Sequence, residues 1–499
     1  MNFIGLCRSS TVHRLVARMI SSELTYEAAI LKLNSLQSNK ATLDQALKDI
    51  KNGQKCTNIE NMERYLSRTG VTLANLDQLS VIHVAGTKGK GSTSAMSESI
   101  LRHHGYRTGF YSVTTPSCST TQEFEGDMPK YFAFLTVLAF NIFLKEKVEV
   151  AIIEVGIGGV MDSTNVLRNV PVVGITALGL DHTSILGDTL SQIAAAKAGI
   201  MKPGCEAFTV EQPQEAMNVL VDVAQQVKCT LNIVPHYDTY TFPNGCKYQL
   251  QSNIESYQTN ASLAIQLAHS WMRLVRLHAR NRNSIKKYLL QEQLLNTYID
   301  QSILSSCEYM DKICEGMVTL VPVNTALGLK ECRWPGRYQI VDAEYATFYL
   351  DGAHTKESME ICSKWFSENN ENQDKVMIFS ATGDRVPDVL LSPLRDIDFR
   401  HVYFVTPSSY GRSDQHRDNY SQVEHKELMA RCYRNSETWT QLKRKQYDSK
   451  TIILESVSSA LTSIKQSYKG VGKPSVLVTG SLHLVGATLS IIDPLLTSS

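Results

Sequence analysis

Short apolar runs alternate along this chain with longer stretches whose apolar positions recur at helical spacing. Val81–Ala85 and residues 110–113, 148–155 and 171–177 read as strands; residues 94–104, 131–145 and Leu190–Ala198 read as helices. Residues 26–36 and Asn58–Arg68 are predicted to be amphipathic helices leading into the first strand. The strand runs carry few polar positions, as strands do when both faces are covered. The pattern therefore predicts a mostly parallel sheet between helical layers. Residues 307–331 show no clear period and are expected to be linker. A second set of apolar runs follows at 346–350, 376–380, 401–406 and 475–478. No internal repeat accompanies them.

The first strand drops into Gly86-Thr87-Lys88-Gly89-Lys90-Gly91-Ser92-Thr93. Glycines let backbone N–H groups curl around phosphate oxygens, and a following helix N-terminus adds partial positive charge. Lys90 can neutralise the outer phosphates, and Ser92 or Thr93 can touch a Mg²⁺ that bridges them. The spacing departs from G-x-x-x-x-G-K-[ST], because Gly91 separates Lys90 from Ser92 and Val84 stands at the first position. A plain glycine-rich turn is the alternative, but it leaves the lysines and hydroxyls unexplained. The loop is read as a nucleotide-phosphate loop. The fold class is α/β: an N-terminal P-loop ATPase-like domain over residues 23–330 and a smaller C-terminal Rossmann-like domain over 331–499.

In such sheets ligands sit beyond the carboxyl ends of the strands. Glu154 ends one apolar run and opens Glu154-Val155-Gly156-Ile157-Gly158-Gly159. A buried carboxylate is costly unless paired or bound to a cation, so a Mg²⁺ ligand is preferred here over a structural ion pair. His182, in Gly179-Leu180-Asp181-His182-Thr183, either completes a metal shell or is an ordinary hydrogen-bonded histidine. Lys197 stands among Ala194, Ala195, Ala196 and Ala198. A lysine there can simply reach solvent. Buried beside a metal site, its depressed pKa would favour a neutral amine able to take up CO₂ as a carbamate.

Composition narrows the partners. A chain of 499 residues is long enough for two to three domains, and a net charge of +1 gives no argument for nucleic acid or an anionic membrane. Its 11 cysteines include no C-x-x-C pair and read as reduced thiols of a cytosolic or matrix protein. No apolar run is long enough to cross a bilayer. Residues 1–22 lack acidic side chains but carry Arg8, Arg14 and Arg18, with Leu6, Val12, Leu15, Val16 and Met19 roughly on one helical face. That is the pattern of a mitochondrial targeting segment, with an unstructured basic tail as the alternative. A start at Met19 would give a cytosolic form.

In order along the chain come the phosphate loop, the Glu154 segment, residues 181–187, Trp334-Pro335-Gly336-Arg337, Leu350-Asp351-Gly352-Ala353-His354-Thr355, Ala381-Thr382-Gly383-Asp384-Arg385 and residues 478–486. Together they resemble the Mur ligase superfamily, and within it the folylpolyglutamate synthases of eukaryotic kind. Gly-Lys-Gly-Ser and Trp-Pro-Gly-Arg favour the folate branch over cell-wall ligases. The resemblance implies an ATP-dependent ligase: a folate γ-carboxylate is phosphorylated and the amine of L-glutamate attacks the acyl phosphate. It implies Ser92, Glu154 and His182 as Mg²⁺ ligands, Lys90 as the phosphate lysine and Lys197 as the lysine carbamylated in relatives. Asn260, Arg337 and Asp351 match ATP contacts, the latter two from the second domain; His354 and Ser481 match the glutamate end. A monovalent cation is admitted as a further cofactor, and a monomer is expected.

Two departures follow. Where the family reads Ser-Pro-His-Leu and then a basic ribbon, this chain has Thr115-Pro116-Ser117-Cys118 and reaches Met128 through a short acidic stretch. Ser256-Tyr257-Gln258-Thr259-Asn260 replaces His-Gln-x-x-Asn but keeps Asn260. The first departure leaves open a folate-impaired, ATP-binding homologue. Dihydrofolate synthase is a third reading.

Overall fold

The computed structural model describes residues 58–112, 129–243, 250, 254–281, 318–370, 374–382, 385–411, 425–443 and 450–494. The expected targeting segment, the helix at 26–36, the shortened loop after Val113 and the Gly383-Asp384 pair lie outside them. The described chain forms two compact units, one within residues 58–112 and 135–332, the other made of residues 129–134 and the chain from Arg333 onward.

In the first unit β1 (Val81–Ala85), β2 (Thr108–Tyr111), β3 (Val150–Glu154), β4 (Val172–Ile175), β5 (Glu206–Thr209) and β6 (Thr230–Ile233) form one sheet in the order β2-β3-β1-β4-β5-β6. All its pairings are parallel. Every residue of β1, β3 and β4 is buried, which is why these strands are β-branched and apolar apart from His83 and Glu154. Gly109 and Gly174 let helices press close: an added Cβ would lie 2.7 Å from Phe143 and 2.8 Å from Leu267. Leu267 belongs to the long helix Glu255–Asn281, which also carries Asn260.

Two expectations are corrected. The helix after the phosphate loop starts at Lys90, not at residue 94, because Gly89 takes a left-handed φ of 90° and Thr93 N already donates to Gly89 O. Within the expected linker, Val323–Glu331 is a helix whose buried face is Thr325, Ala326, Gly328 and Leu329. Small and polar residues on that face hide the helical period. They also permit close packing: Ser99 Oγ donates to Gly328 O at 2.7 Å, and a Cβ on Gly328 would lie 2.7 Å from the Ile100 Cα.

The second unit holds β7 (Gln339–Asp342), β8 (Thr347–Leu350), β9 (Lys375–Phe379), β10 (Phe399–Val405), β11 (Lys450–Leu454) and β12 (Ser475–Thr479), ordered β11-β10-β9-β12-β8-β7. Only the β7–β8 pairing is antiparallel. One core cluster takes alternate residues of the strands (Phe348 and Leu350, Val376 and Ile378, Val476 and Val478) with Val457, Leu461 and Ile464 of the helix Val457–Ser467. The helix Lys356–Glu368 buries Met359, Cys362, Trp365 and Phe366, and Thr479 meets both Met359 and Cys362.

Candidate functional site

The connections leaving β1 and β4 run to opposite sides of the first sheet, which opens a crevice at their carboxyl ends. Residues 86–93 fill it. Thr87 N and Lys88 N donate to Ala177 O at 3.0 and 3.1 Å. Thr87 Oγ1 donates to Gly179 O and accepts from Gly179 N. Gly86 and Gly89 hold φ of 149° and 90°. A Cβ on Gly86 would fall 1.8 Å from Thr176 Oγ1, and one on Gly89 2.1 Å from Asn260 Oδ1. Asn260 is therefore brought against the loop from a distant helix, and its Oδ1 also accepts from Thr93 Oγ1 at 3.4 Å. Gly86→Ala should cost most nucleotide affinity, since both the clash and the φ must be relieved. Equilibrium titration with an ATP analogue checks this; wild-type affinity would show that the loop can yield.

Two ammonium groups share one carbonyl. Lys90 Nζ donates to Gly86 O at 3.2 Å and Lys197 Nζ to the same oxygen at 2.8 Å. Lys197 is only 3 % exposed, held in the helix Leu190–Ala198. Burial, then the charge of Lys90, lowers its pKa to about 7. Two lysine side chains drawn to one carbonyl in a crevice are suited to an anion. Lys88 pairs with Asp181 at 3.5 Å, and Asp181 also accepts from His182 N. His182 has a left-handed φ of 50° and caps the turn Thr183–Leu186; burial holds its pKa down, against the pull of Asp181.

Glu154 is buried at the end of β3, in register with Val84 of β1, and accepts a hydrogen bond from Ser112 Oγ. Ser92 lies buried in the first helical turn. Carboxylate oxygen, hydroxyl oxygen and an imidazole whose protonation burial opposes are donor types that suit a divalent cation. Among the described residues no three His, Cys, Asp or Glu side chains converge.

The sequence reading missed three residues. Ser112 meets Glu154. Gln212 reaches the segment after β4. Asp162 accepts from Gly156 N and Ile157 N at 3.1 Å each, and from Thr164 N and Thr164 Oγ1, so it fixes the loop that follows Glu154. Thr164 Oγ1 spends its proton on Asp162, so it accepts from His83 Nε2 at 2.9 Å. Burial is the main force raising the Asp162 pKa and lowering that of His83 to about 3. An aspartate soon after a glycine run is the one signal that could have pointed here.

In the second unit Arg337, Asp351 and His354 gather where β8 ends. Asp351 accepts from Tyr338 N at 3.2 Å and Ala353 N at 2.9 Å. Its burial raises the pKa to about 6, against the opposing pull of Arg337. Gly352 N donates to Gly336 O, and a Cβ on Gly352 would lie 3.0 Å from Arg337 Nη1 and 2.3 Å from Leu482 Cδ2. His354 Nδ1 donates to Gly352 O at 2.8 Å. Ser481 caps the helix Leu482–Ile492, its Oγ accepting from Leu484 N. The close approach of Leu482 to Gly352 brings that cap toward the same cluster.

Two family models match this chain: the Mur ligase middle domain over residues 84–265 and the dihydrofolate synthetase C-terminal domain over residues 337–491. The chain is similar to human mitochondrial folylpolyglutamate synthase at 33% identity, over 95% of this chain and 93% of the relative. It is 31% identical to the Arabidopsis thaliana folylpolyglutamate synthase over 94% of this chain and 88% of that one. In fold it is similar to the Mycobacterium tuberculosis folylpolyglutamate synthase complexed with ADP (TM-score 0.60, 18% identity, 94% and 99% of the two chains). It is likewise similar to Escherichia coli FolC in complex with DHPP and ADP (TM-score 0.55, 21% identity, 87% and 93%).

Proposed function

The chain belongs to the folylpolyglutamate synthase family, and from that premise we propose how its residues divide the work. It is an ATP-dependent ligase that joins L-glutamate to the γ-carboxylate of folates, with ADP and phosphate as products. A relative 33% identical across nearly the whole chain carries that reading, and the folate-impaired alternative is not favoured.

Within residues 86–93, Lys90 and the amides of the first helical turn bind the ATP phosphates; the Lys90 ammonium held at Gly86 O at the helix start supports this. Asn260, Arg337 and Asp351 contact ATP, and His354 and Ser481 hold the glutamate end. Ser92, Glu154 and His182 would hold a divalent cation, which when bound screens phosphate charge; Mg²⁺ is our choice, with a monovalent cation as a further cofactor. Lys197 takes up CO₂ as a carbamate, the neutral amine attacking carbon and releasing one proton. Its burial supports this. The preorganised Lys90 charge stabilises a developing anion without reorganising, and the crevice keeps water from the acyl phosphate. The protein acts as a monomer, in the mitochondrial matrix when made from Met1 and in the cytosol when made from Met19. The human relative is named mitochondrial, which supports the first location.

The test is transfer of labelled glutamate to tetrahydrofolate by the full chain with Mg²⁺ and ATP, with dihydropteroate run alongside. Glutamate-extended tetrahydrofolate and matching ADP are expected. Product from dihydropteroate alone would make the chain a dihydrofolate synthase.

A further inference from the structure

Gln212 leaves β5 just before the helix Gln214–Val227, and no pattern in the sequence marks it. Its side-chain amide has three partners. Oε1 accepts from Leu178 N at 3.0 Å, while Nε2 donates to Thr176 O at 3.0 Å and to Thr209 Oγ1 at 3.1 Å. Gripping the C=O of one residue and the N–H of the residue two further on is what a neighbouring parallel strand does. The β4–β5 ladder itself ends at Ile175↔Thr209, so the amide supplies one more rung beyond it.

That rung has a consequence for the residue between. Ala177 turns its carbonyl to the other side, where it accepts from both Thr87 N and Lys88 N. Thr87 Oγ1 is tied to Gly179 as well, and Gly86 lies hard against Thr176, whose Oγ1 is buried without a hydrogen-bond partner. The phosphate loop is thus fastened to residues 176–179, and those residues are held from their outer side by Gln212. Asp181, which pairs with Lys88, and His182 follow directly along the same segment.

We propose that Gln212 is a positioning residue for ATP: its amide fixes the Ala177 carbonyl and, through it, the first turn of the phosphate loop. This rests on residues 86–93 being that loop. Without the amide, Thr176 O and Leu178 N turn to water, the Ala177 peptide can rotate, and the two loop N–H groups lose a fixed acceptor.

Gln212→Leu keeps the volume and removes all three bonds; Gln212→Glu keeps the acceptor for Leu178 N but cannot donate to Thr176 O until its carboxylate is protonated. The full chain is titrated with a non-hydrolysable ATP analogue and Mg²⁺ across a pH series, beside Lys90→Ala. Gln212→Leu should weaken the analogue about tenfold and raise KM for ATP while leaving KM for glutamate unchanged. Gln212→Glu should recover affinity, relative to wild type, as pH falls through the carboxylic-acid range, where Gln212→Leu does not. Wild-type affinity in Gln212→Leu, or one pH-independent loss in both variants, overturns the brace. If Lys90→Ala also keeps wild-type affinity, it is the phosphate-loop assignment beneath it that fails.

Discussion

Lys90→Ala should bind Mg²⁺-ATP about a hundredfold more weakly while melting at nearly the wild-type temperature. A charge-assisted contact from an ammonium to phosphate contributes ~2–3 kcal/mol, and each 1.4 kcal/mol is a factor of ten in affinity. The fold loses little by the change. Lys90 makes one hydrogen bond, to Gly86 O, and the loop stays tied through Thr87 and Lys88 to Ala177 and Gly179. The variant has a second signature, because the Lys90 charge helps to hold the Lys197 pKa down. Removing it should let Lys197 take a proton at higher pH. Calorimetric titration with an ATP analogue gives the affinity and a thermal melt gives the stability. Unchanged affinity in a folded Lys90→Ala protein would remove Lys90 from the phosphate contacts.

What the sequence allowed to be read follows from where each signal is stored. Buried central strands announce themselves by composition: β1, β3 and β4 are apolar but for His83 and Glu154, and the helices Asn58–Arg68 and Leu190–Ala198 have the residue bounds expected of them. β5 and β6 carry no such mark. Glu206–Thr209 is too short and mixed to stand out, and Thr230–Ile233, at the sheet edge, has no fully buried residue. The helix Val323–Glu331 escaped because its packing face is built from Thr, Ala and Gly as well as Leu, so no hydrophobic stripe is written there. Lys197 was legible only as a condition, that burial would change its chemistry; the buried face of its helix, Ile193, Ala194 and Ala198, carries it inward. Gln212 could not be read at all. Its meaning lies in the geometry of a loop more than thirty positions earlier, and a lone glutamine has no period or spacing to betray that.

Lys197→Met should both abolish most ligase turnover and flatten the pH dependence of stability. Lys197 has a folded pKa of about 7 against an ordinary value of 10.5. Between those limits the unfolded chain holds a proton that the folded chain has shed. Stability therefore rises with pH across this window, by up to about 1.4 kcal/mol per pH unit, and the full cost of the buried charge is carried below it. Lys202, also lowered chiefly by burial, contributes in the same direction, so part of the slope survives in Lys197→Met. On the catalytic side, removing one preorganised charged group from the reaction site costs about 10²–10³ in turnover. If that group is a carbamate, wild-type turnover should also rise with added bicarbonate at fixed pH, and Lys197→Met should ignore it. Denaturant unfolding at a series of pH values, paired with glutamate-transfer rates, separates the two effects. A stability profile in Lys197→Met as steep as wild type would mean that the buried amine is not the group being titrated. Full turnover without Lys197 would leave it a packing residue whose short contact with Gly86 merely closes the crevice.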